Sequence, residues 1–257
     1  RGSILSALDS KPTKVVCTYH PASLFDRPRN KSSEEGMFSW KQKVVIEFDI
    51  KRAVEQSQFP EINRTHRNVR ICRTSLDLSR FLLENKDMKY VSVDCEVYKS
   101  HLVCVGLAFN SYEAMVIPLI NIQDGLERDL TFQIPLHDMV EIWRLLASLL
   151  ADENLTKIGQ NFHADHIYWL EKAGFEVKGK IYDLLYLMAS LYPELPKALQ
   201  FSTSIYTEEP FYKMEGRTYN PKKDKLEVLL NYCGKDVMVT YEAFFEARKD
   251  AEEIVIL

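Results

Sequence analysis

The chain has no Cys-x-x-C pair and no Cys/His cluster. Its five cysteines, Cys17, Cys72, Cys95, Cys104 and Cys233, are odd in number and scattered, which argues against a zinc site or a disulfide framework. Reduced thiols in a cytoplasmic compartment are expected. No apolar run reaches bilayer-spanning length and the first residues do not read as a signal peptide, so no membrane association is expected. Positive charge is not in surplus either: 33 Lys and Arg against 37 Asp and Glu give a net charge of −4. A nucleic-acid partner would have to be held by a local patch or through metal ions. The opening Arg1-Gly2-Ser3 carries no methionine, so a piece of a longer protein is expected.

There is ample apolar mass. Hydrophobic residues make up 46% of 257, enough for one large domain or two small ones. Lys14 to Tyr19 reads as a buried strand, and His20 to Leu24 as a turn entering a short helix. Arg27 to Gly36 is a polar loop. Met37 to Ala53 reads as a helix with Trp40, Val44, Phe48 and Lys51 on one face. Gln58 to Arg70 is polar and basic and reads as a connection, in which Arg64, Arg67, Arg70 and Arg73 are candidates for phosphate contact or for a solvated surface. Ser75 is the expected cap of a helix reaching Asn85.

From there the pattern changes. Lys89 to Val97, Leu102 to Phe109 and Ala114 to Leu119 are apolar runs joined by short turns, which predicts an antiparallel meander. Asn121 to Pro135 is an acidic loop, and Leu136 to Asp152 an amphipathic helix. Thr156 to Asn161 reads as strand and turn, His163 to Ala173 as helix, Gly179 to Asp183 as strand, and Leu184 to Leu191 and Pro196 to Tyr206 as helices. A long helix over Asp224 to Asp250 follows the loop Thr207 to Lys223. Strands first, then helices alternating with further strands, predict an α/β fold: a mixed sheet flanked by helices, with a small α/β segment in front.

The first strand ends in Asp94-Cys95-Glu96. Alternate residues of a strand share a face, so the two carboxylates project side by side, and like charges that close call for a cation between them. Asn161-Phe162-His163-Ala164-Asp165 and Tyr232-Cys233-Gly234-Lys235-Asp236 each set a polar group and a carboxylate four residues apart on one helix face. Each piece alone commonly marks an ordinary helix surface; the ordered set of three is far more specific.

That set resembles the DEDDy branch of the DnaQ-like 3′–5′ exonucleases, whose fold is ribonuclease-H-like, over roughly Val69 to Ala247. Gly159-Gln160-Asn161, Tyr182-Asp183-Leu184-Leu185 and Leu195-Pro196-Lys197-Ala198-Leu199 resemble the proofreading domain of phage-like family A DNA polymerases in particular. The resemblance implies a two-metal mechanism with Mg²⁺ or Mn²⁺. Asp94 would bridge the ions, Glu96 and Asp236 would complete one and Asp165 would hold the other. Tyr232 would orient the attacking water. Asn161 and Phe162 would face the substrate strand, and Leu102 or Tyr98 would wedge against the terminal base. Its implied partners are single-stranded DNA or a primer 3′ end and a polymerase domain in the same or a companion chain. Val97 stands where that group often has Thr, and the Tyr98 to His101 connection is short. Lys213, Arg217, Lys222, Lys223 and Lys225 among Phe211, Tyr212 and Tyr219 suit single-stranded DNA, or a solvated loop equally well.

Upstream, the strand followed by His20-Pro21-Ala22-Ser23 resembles the second motif of bacterial and phage uracil-DNA glycosylases. The family's first motif is absent, so residues 1–62 are expected to be the tail of such a domain without its activity, and residues 63–257 the exonuclease domain. The alternatives are an RNA-trimming enzyme of the ribonuclease D type, a non-catalytic nucleic-acid-binding module and a uracil glycosylase.

Overall fold

A computed structural model of the chain describes residues 4–6, 13–20, 40–62, 64–120, 134–213 and 218–255. A short antiparallel hairpin, β1 (Ile4–Ser6) and β2 (Lys14–Val16), precedes helix α1 (Trp40–Gln56). Then come β3 (Asn68–Ile71), α2 (Ser75–Glu84), β4 (Tyr90–Tyr98), β5 (His101–Ala108), β6 (Glu113–Pro118) and α3 (Leu136–Ala151). After β7 (Thr156–Gly159) one π-helical turn (Phe162–His166) runs into α4 (Ile167–Lys172), followed by β8 (Ile181–Asp183), α5 (Leu184–Leu191), α6 (Leu199–Tyr206) and α7 (Leu226–Val255).

Six strands form one mixed sheet in the order β3-β6-β5-β4-β7-β8. The hairpin turns between β4, β5 and β6 make those pairs antiparallel, while β3, β7 and β8 arrive after helices and join in parallel. The expected ribonuclease-H-like mixed sheet flanked by helices is the observed architecture. β4 lies inside the sheet, and its alternation divides the side chains. Val91, Val93 and Cys95 enter the core shared with α2 and α3, where Leu78, Phe81, Ile142 and Leu146 are buried. Ser92, Asp94 and Glu96 leave on the other face, under α7.

The second layer is α7 with α5, α6 and α1. Val239, Ala243 and Phe244 of α7 pack with Leu184, Met188, Phe201 and Val45. Helix α1 is bonded to this layer: the Arg52 guanidinium donates to the carbonyls of Ser204 and Ile205, both at 2.6 Å, and Phe48 meets Tyr192 edge-on. The buried stripe of α1 runs through Val45, Asp49 and Gln56, one position round from the expected Val44–Phe48–Lys51 face, so that Lys51 is exposed.

Several local expectations are corrected. The Lys14 strand is not buried; it is three residues long and half-exposed, an isolated hairpin having only one face to cover. The connection over Gln58 to Arg70 contains the start of edge strand β3, whose four residues carry too few apolar positions to stand out. Helix α2 is capped by Thr74, in a reciprocal box with Asp77, and the Ser75 hydroxyl is turned to Asp138 at 2.6 Å. The helix expected from His163 begins with the π turn. The expected elements over His20 to Gly36 and the loop at Asn121 fall largely outside the described residues.

Arg67 and Arg70 are not phosphate contacts. Arg67 is buried, its guanidinium shared between Glu209 at 2.9 Å and Glu242 at 2.5 Å. Arg70 pairs with Glu84 and Glu113. Arg67 thus ties the approach to β3 to both α7 and the segment leading to Lys213. Truncating it would leave Glu242 without its cation, and Glu209 with only Lys235 at 3.6 Å, in a low-dielectric setting. The Arg67→Met variant should therefore lose about 3–5 kcal/mol of folding stability, measured as a fall in the urea midpoint; an unchanged midpoint would show that the strut carries no stability.

Candidate active site

β4 runs its two carboxylates under the long helix. Asp94 stands opposite Gly106, and Glu96 opposite Cys104, just before a bulge at Glu96/Val97 that shifts the register of the pairing. Helix α7 crosses at this level, very close to the sheet. A Cβ on Gly106 would come within 2.9 Å of the Cys233 sulfur, and one on Gly234 within 2.6 Å of Val69. The two glycines set the depth of the helix, and with it the depth of Tyr232 and Asp236. Carboxylate oxygens of Asp94 and Glu96 and the Cys233 sulfur all lie within 4.8 Å of one another.

The second segment is built on Asp183. Its carboxylate accepts the backbone N–H groups of Asn161 at 2.8 Å, Phe162 at 2.6 Å and Leu185 at 2.9 Å. Asn161 holds a left-handed backbone, φ 56°, which a short polar side chain tolerates. The π turn that follows carries the backbone of Asp165, whose side chain lies outside the described residues, and brings His166 over β4. His166 Nδ1 accepts the Cys95 N–H at 3.2 Å, with the Cys95 thiol also 3.0 Å away. The imidazole hydrogen therefore sits on Nε2, which faces Asp94 Oδ1 at 3.1 Å and the Gln160 carbonyl at 3.2 Å. His166 thus bonds the Gln160 carbonyl and holds its Nε2 beside the Asp94 carboxylate.

Asp236 is buried, and both its oxygens are engaged. The Tyr212 hydroxyl donates to Oδ1 at 2.6 Å, and the Lys213 ammonium bonds Oδ2 while also donating to the Tyr232 hydroxyl at 2.9 Å. Burial pushes the Asp236 carboxyl up to about 6, against the pull of Lys213 and with Asp94 adding to the rise. Glu96 is raised well above the carboxylate range by burial first and Asp94 second. The Tyr232 phenol is raised by burial and by the negative Asp236, so it keeps its proton at neutral pH. The Cys104 thiol and burial push Cys233 up, so its sulfur stays protonated and offers a poor ligand. What remains is a crowded set of hard oxygens, buried at Asp236 and partly buried at Asp94 and Glu96, which fits an oxygen-preferring divalent cation.

The structure brings together Asp94, Glu96, Tyr232 and Asp236. It places Leu102 and Phe162 elsewhere: both are buried, at 7% and 0% exposure, in the core that holds Cys95 and Val105 on the far face of the sheet. Tyr98 instead packs against the cluster that β5 and β6 form with the start of α7, on the carboxylate face. Of the basic stretch, Lys213 is turned inward, Arg217 lies outside the described residues, and Phe211 is exposed. His166, Lys213 and Tyr212 were not legible as site residues. Their signal was only proximity in sequence to Asp165 and to an aromatic-basic run.

The raised Glu96 carboxyl has a pH consequence for the metal-free protein. The folded state holds that proton more tightly than the unfolded chain, whose Glu titrates near ~4.3. Stability therefore falls as pH rises from there through the raised value. In EDTA, Glu96→Gln should melt above wild type at pH 8, with the gap closing toward pH 4. A variant less stable than wild type at pH 8 would contradict the burial of a charge there.

Residues 69–249 match the model of a 3′–5′ exonuclease family. No curated protein sequence matches the chain. Solved structures with similar folds include the EXO domain of Nibbler from Aedes aegypti (15% identity, 76% of this chain and 92% of that one, TM-score 0.54). NrnC from Brucella melitensis is another (16% identity, 73% and 84%, TM-score 0.53). Escherichia coli RNase D, an exoribonuclease involved in structured RNA processing, is a third (17% identity, 74% and 49%, TM-score 0.52). At these identities the likeness is one of fold, whereas the family match spans most of the sequence and contains all three carboxylate motifs: this chain belongs to the 3′–5′ exonuclease family.

Proposed function

We propose that this nuclease removes nucleotides one at a time from the 3′ end of single-stranded DNA, as the proofreading exonuclease of a family A DNA polymerase. The observation that carries the reading is the closeness of Asp94 and Glu96 on β4, with Asp236 of α7 near enough to act on their charge and the protonated phenol of Tyr232 beside it. Enzymes of this family use two divalent metal ions. When bound, such a pair supplies the activated water and the charge neutralisation that phosphodiester hydrolysis needs.

The chain's own groups do the rest. Asp94, Glu96 and Asp236 would hold the ions, with Asp165, whose backbone lies in the π turn, as the fourth carboxylate. Tyr232 keeps its proton on the hydroxyl and positions the attacking water by hydrogen bond, since a phenol raised by burial is no general base at neutral pH. His166, whose Nε2 lies 3.1 Å from Asp94 Oδ1, would steady that carboxylate as a ligand. Asn161 contacts the strand near the scissile phosphate, and Tyr98 is the better of the two wedge candidates because it stands on the carboxylate face. The reading of residues 1–62 as the tail of a glycosylase-like domain rests on the His20-Pro21-Ala22-Ser23 order alone. The DNA reading draws on the polymerase-like stretches around Gly159, Tyr182 and Leu195. RNA is the second reading, favoured by the ribonuclease among the similar folds.

A 5′-labelled oligonucleotide should give a one-nucleotide ladder with Mg²⁺ and none with EDTA. The Asp94→Ala/Glu96→Ala variant should lose activity by at least about 10³-fold. Undiminished cleavage by that variant would end the nuclease reading, and preference for an RNA ladder over the matched DNA one would replace the substrate. His166→Leu should weaken Mn²⁺ binding or turnover by about 10–100-fold, while His166→Gln, which keeps an N–H donor, should recover most of it. Equal loss in both variants would reduce His166 to a packing residue.

A further inference from the structure

The nuclease mechanism leaves one charged group at the centre of the site without a task. Lys213 is only 11% exposed, and its ammonium lies among carboxylates that the reaction assigns to metal ions. It bonds Asp236 Oδ2 and the Tyr232 hydroxyl, and sits 4.7 Å from the Tyr232 ring centroid and 5.3 Å from that of Tyr212. Its charge also favours the ionised form of Glu96 and of Asp236. Tyr212 occupies the other oxygen of Asp236. A divalent ion at Asp236 must therefore share the carboxylate with these two donors or displace one of them. Tyr212 is a neutral phenol and can share a carboxylate with a cation. An ammonium cannot: two positive charges at one buried oxygen repel strongly.

We propose that Lys213 is the resident cation of this site. Without metal its ammonium holds Asp236 and Tyr232 in register and offsets the repulsion among the carboxylates. When a divalent ion loads, Lys213 gives up Asp236 Oδ2 to it, so metal binding is an exchange of one cation for another. The inference rests on Asp236 being a metal ligand. It assigns Lys213 a positioning role in the metal-free protein and a competing role during loading.

The exchange predicts opposite signs for two measurements on one variant. In EDTA, Lys213→Met should melt below wild type, because Asp236 loses its cation. In Mn²⁺ titrations by calorimetry, the same variant should bind about 10- to 100-fold tighter, the equivalent of a hydrogen bond to a charged group no longer broken on loading. Lys213→Arg keeps the charge and should bind Mn²⁺ no more than a few-fold differently from wild type. Lys235→Met serves as a charge control, since Lys235 lies beside Tyr212 but its ammonium faces Glu209. It should tighten Mn²⁺ binding far less than Lys213→Met. Mn²⁺ affinity in Lys213→Met that is unchanged or weaker, or matched by Lys235→Met or Lys213→Arg, would overturn the proposal. Asp236→Asn separates the two levels: if it binds Mn²⁺ as wild type does, Asp236 is no ligand and the metal reading fails first. If it binds weakly while Lys213→Met is unchanged, the exchange alone falls.

Discussion

Carboxylates crowded into a partly buried space repel one another, and everything else at this site is arranged around that repulsion. Asp94 and Glu96 are forced together by strand geometry, and Asp236 is added from a helix that approaches as closely as two glycines permit. Burial and mutual charge lift Glu96 and Asp236 above the ordinary carboxylate range. The folded chain holds these groups in a state that is costly without a cation, which is how a site stores affinity for one. The metal-free protein relieves part of the cost internally, with an ammonium at Asp236.

Holding such a cluster in place needs a stiff frame, and the frame can be traced. β4 lies inside the sheet, paired on both sides, with β5 and β7. Helix α7 is seated by Gly106 and Gly234 against the sheet and by Val239, Ala243 and Phe244 against α5 and α6. Arg67 bonds both α7 and the segment that carries Tyr212 and Lys213. Asp183 gathers the N–H groups that start the π turn and α5, which fixes where His166 arrives. Each fixture lies outside the carboxylate cluster, and each decides where one member of the site stands.

Much of this was legible from residues alone, because it follows from two short periodicities. Strand parity put Asp94 and Glu96 on one face, and the four-residue helical spacing put Tyr232 with Asp236. The meander and the long terminal helix read just as directly. What failed to read depends on tertiary partners. Thr74 took the cap that Ser75 could equally have taken, since the Asp138 that claims Ser75 is 63 residues away. Arg67 looked like a solvent-facing base, because its two acids lie 142 and 175 residues further on. Leu102 and Phe162 looked able to meet a substrate, and the bulge and the core drew them inward. The π turn, which carries His166 to Asp94, has no residue signature distinct from an ordinary helix start.

The claim beneath the rest is that these separated acids form one receptacle for paired hard cations. Anomalous diffraction at the manganese edge, from crystals soaked in Mn²⁺, tests it without recourse to activity. The account predicts two peaks about 4 Å apart, both touching Asp94, with Glu96 and Asp236 on the same one and the Lys213 ammonium withdrawn from Asp236. Density for no ion between Asp94 and Asp236, with Lys213 still seated on its carboxylate, would contradict it.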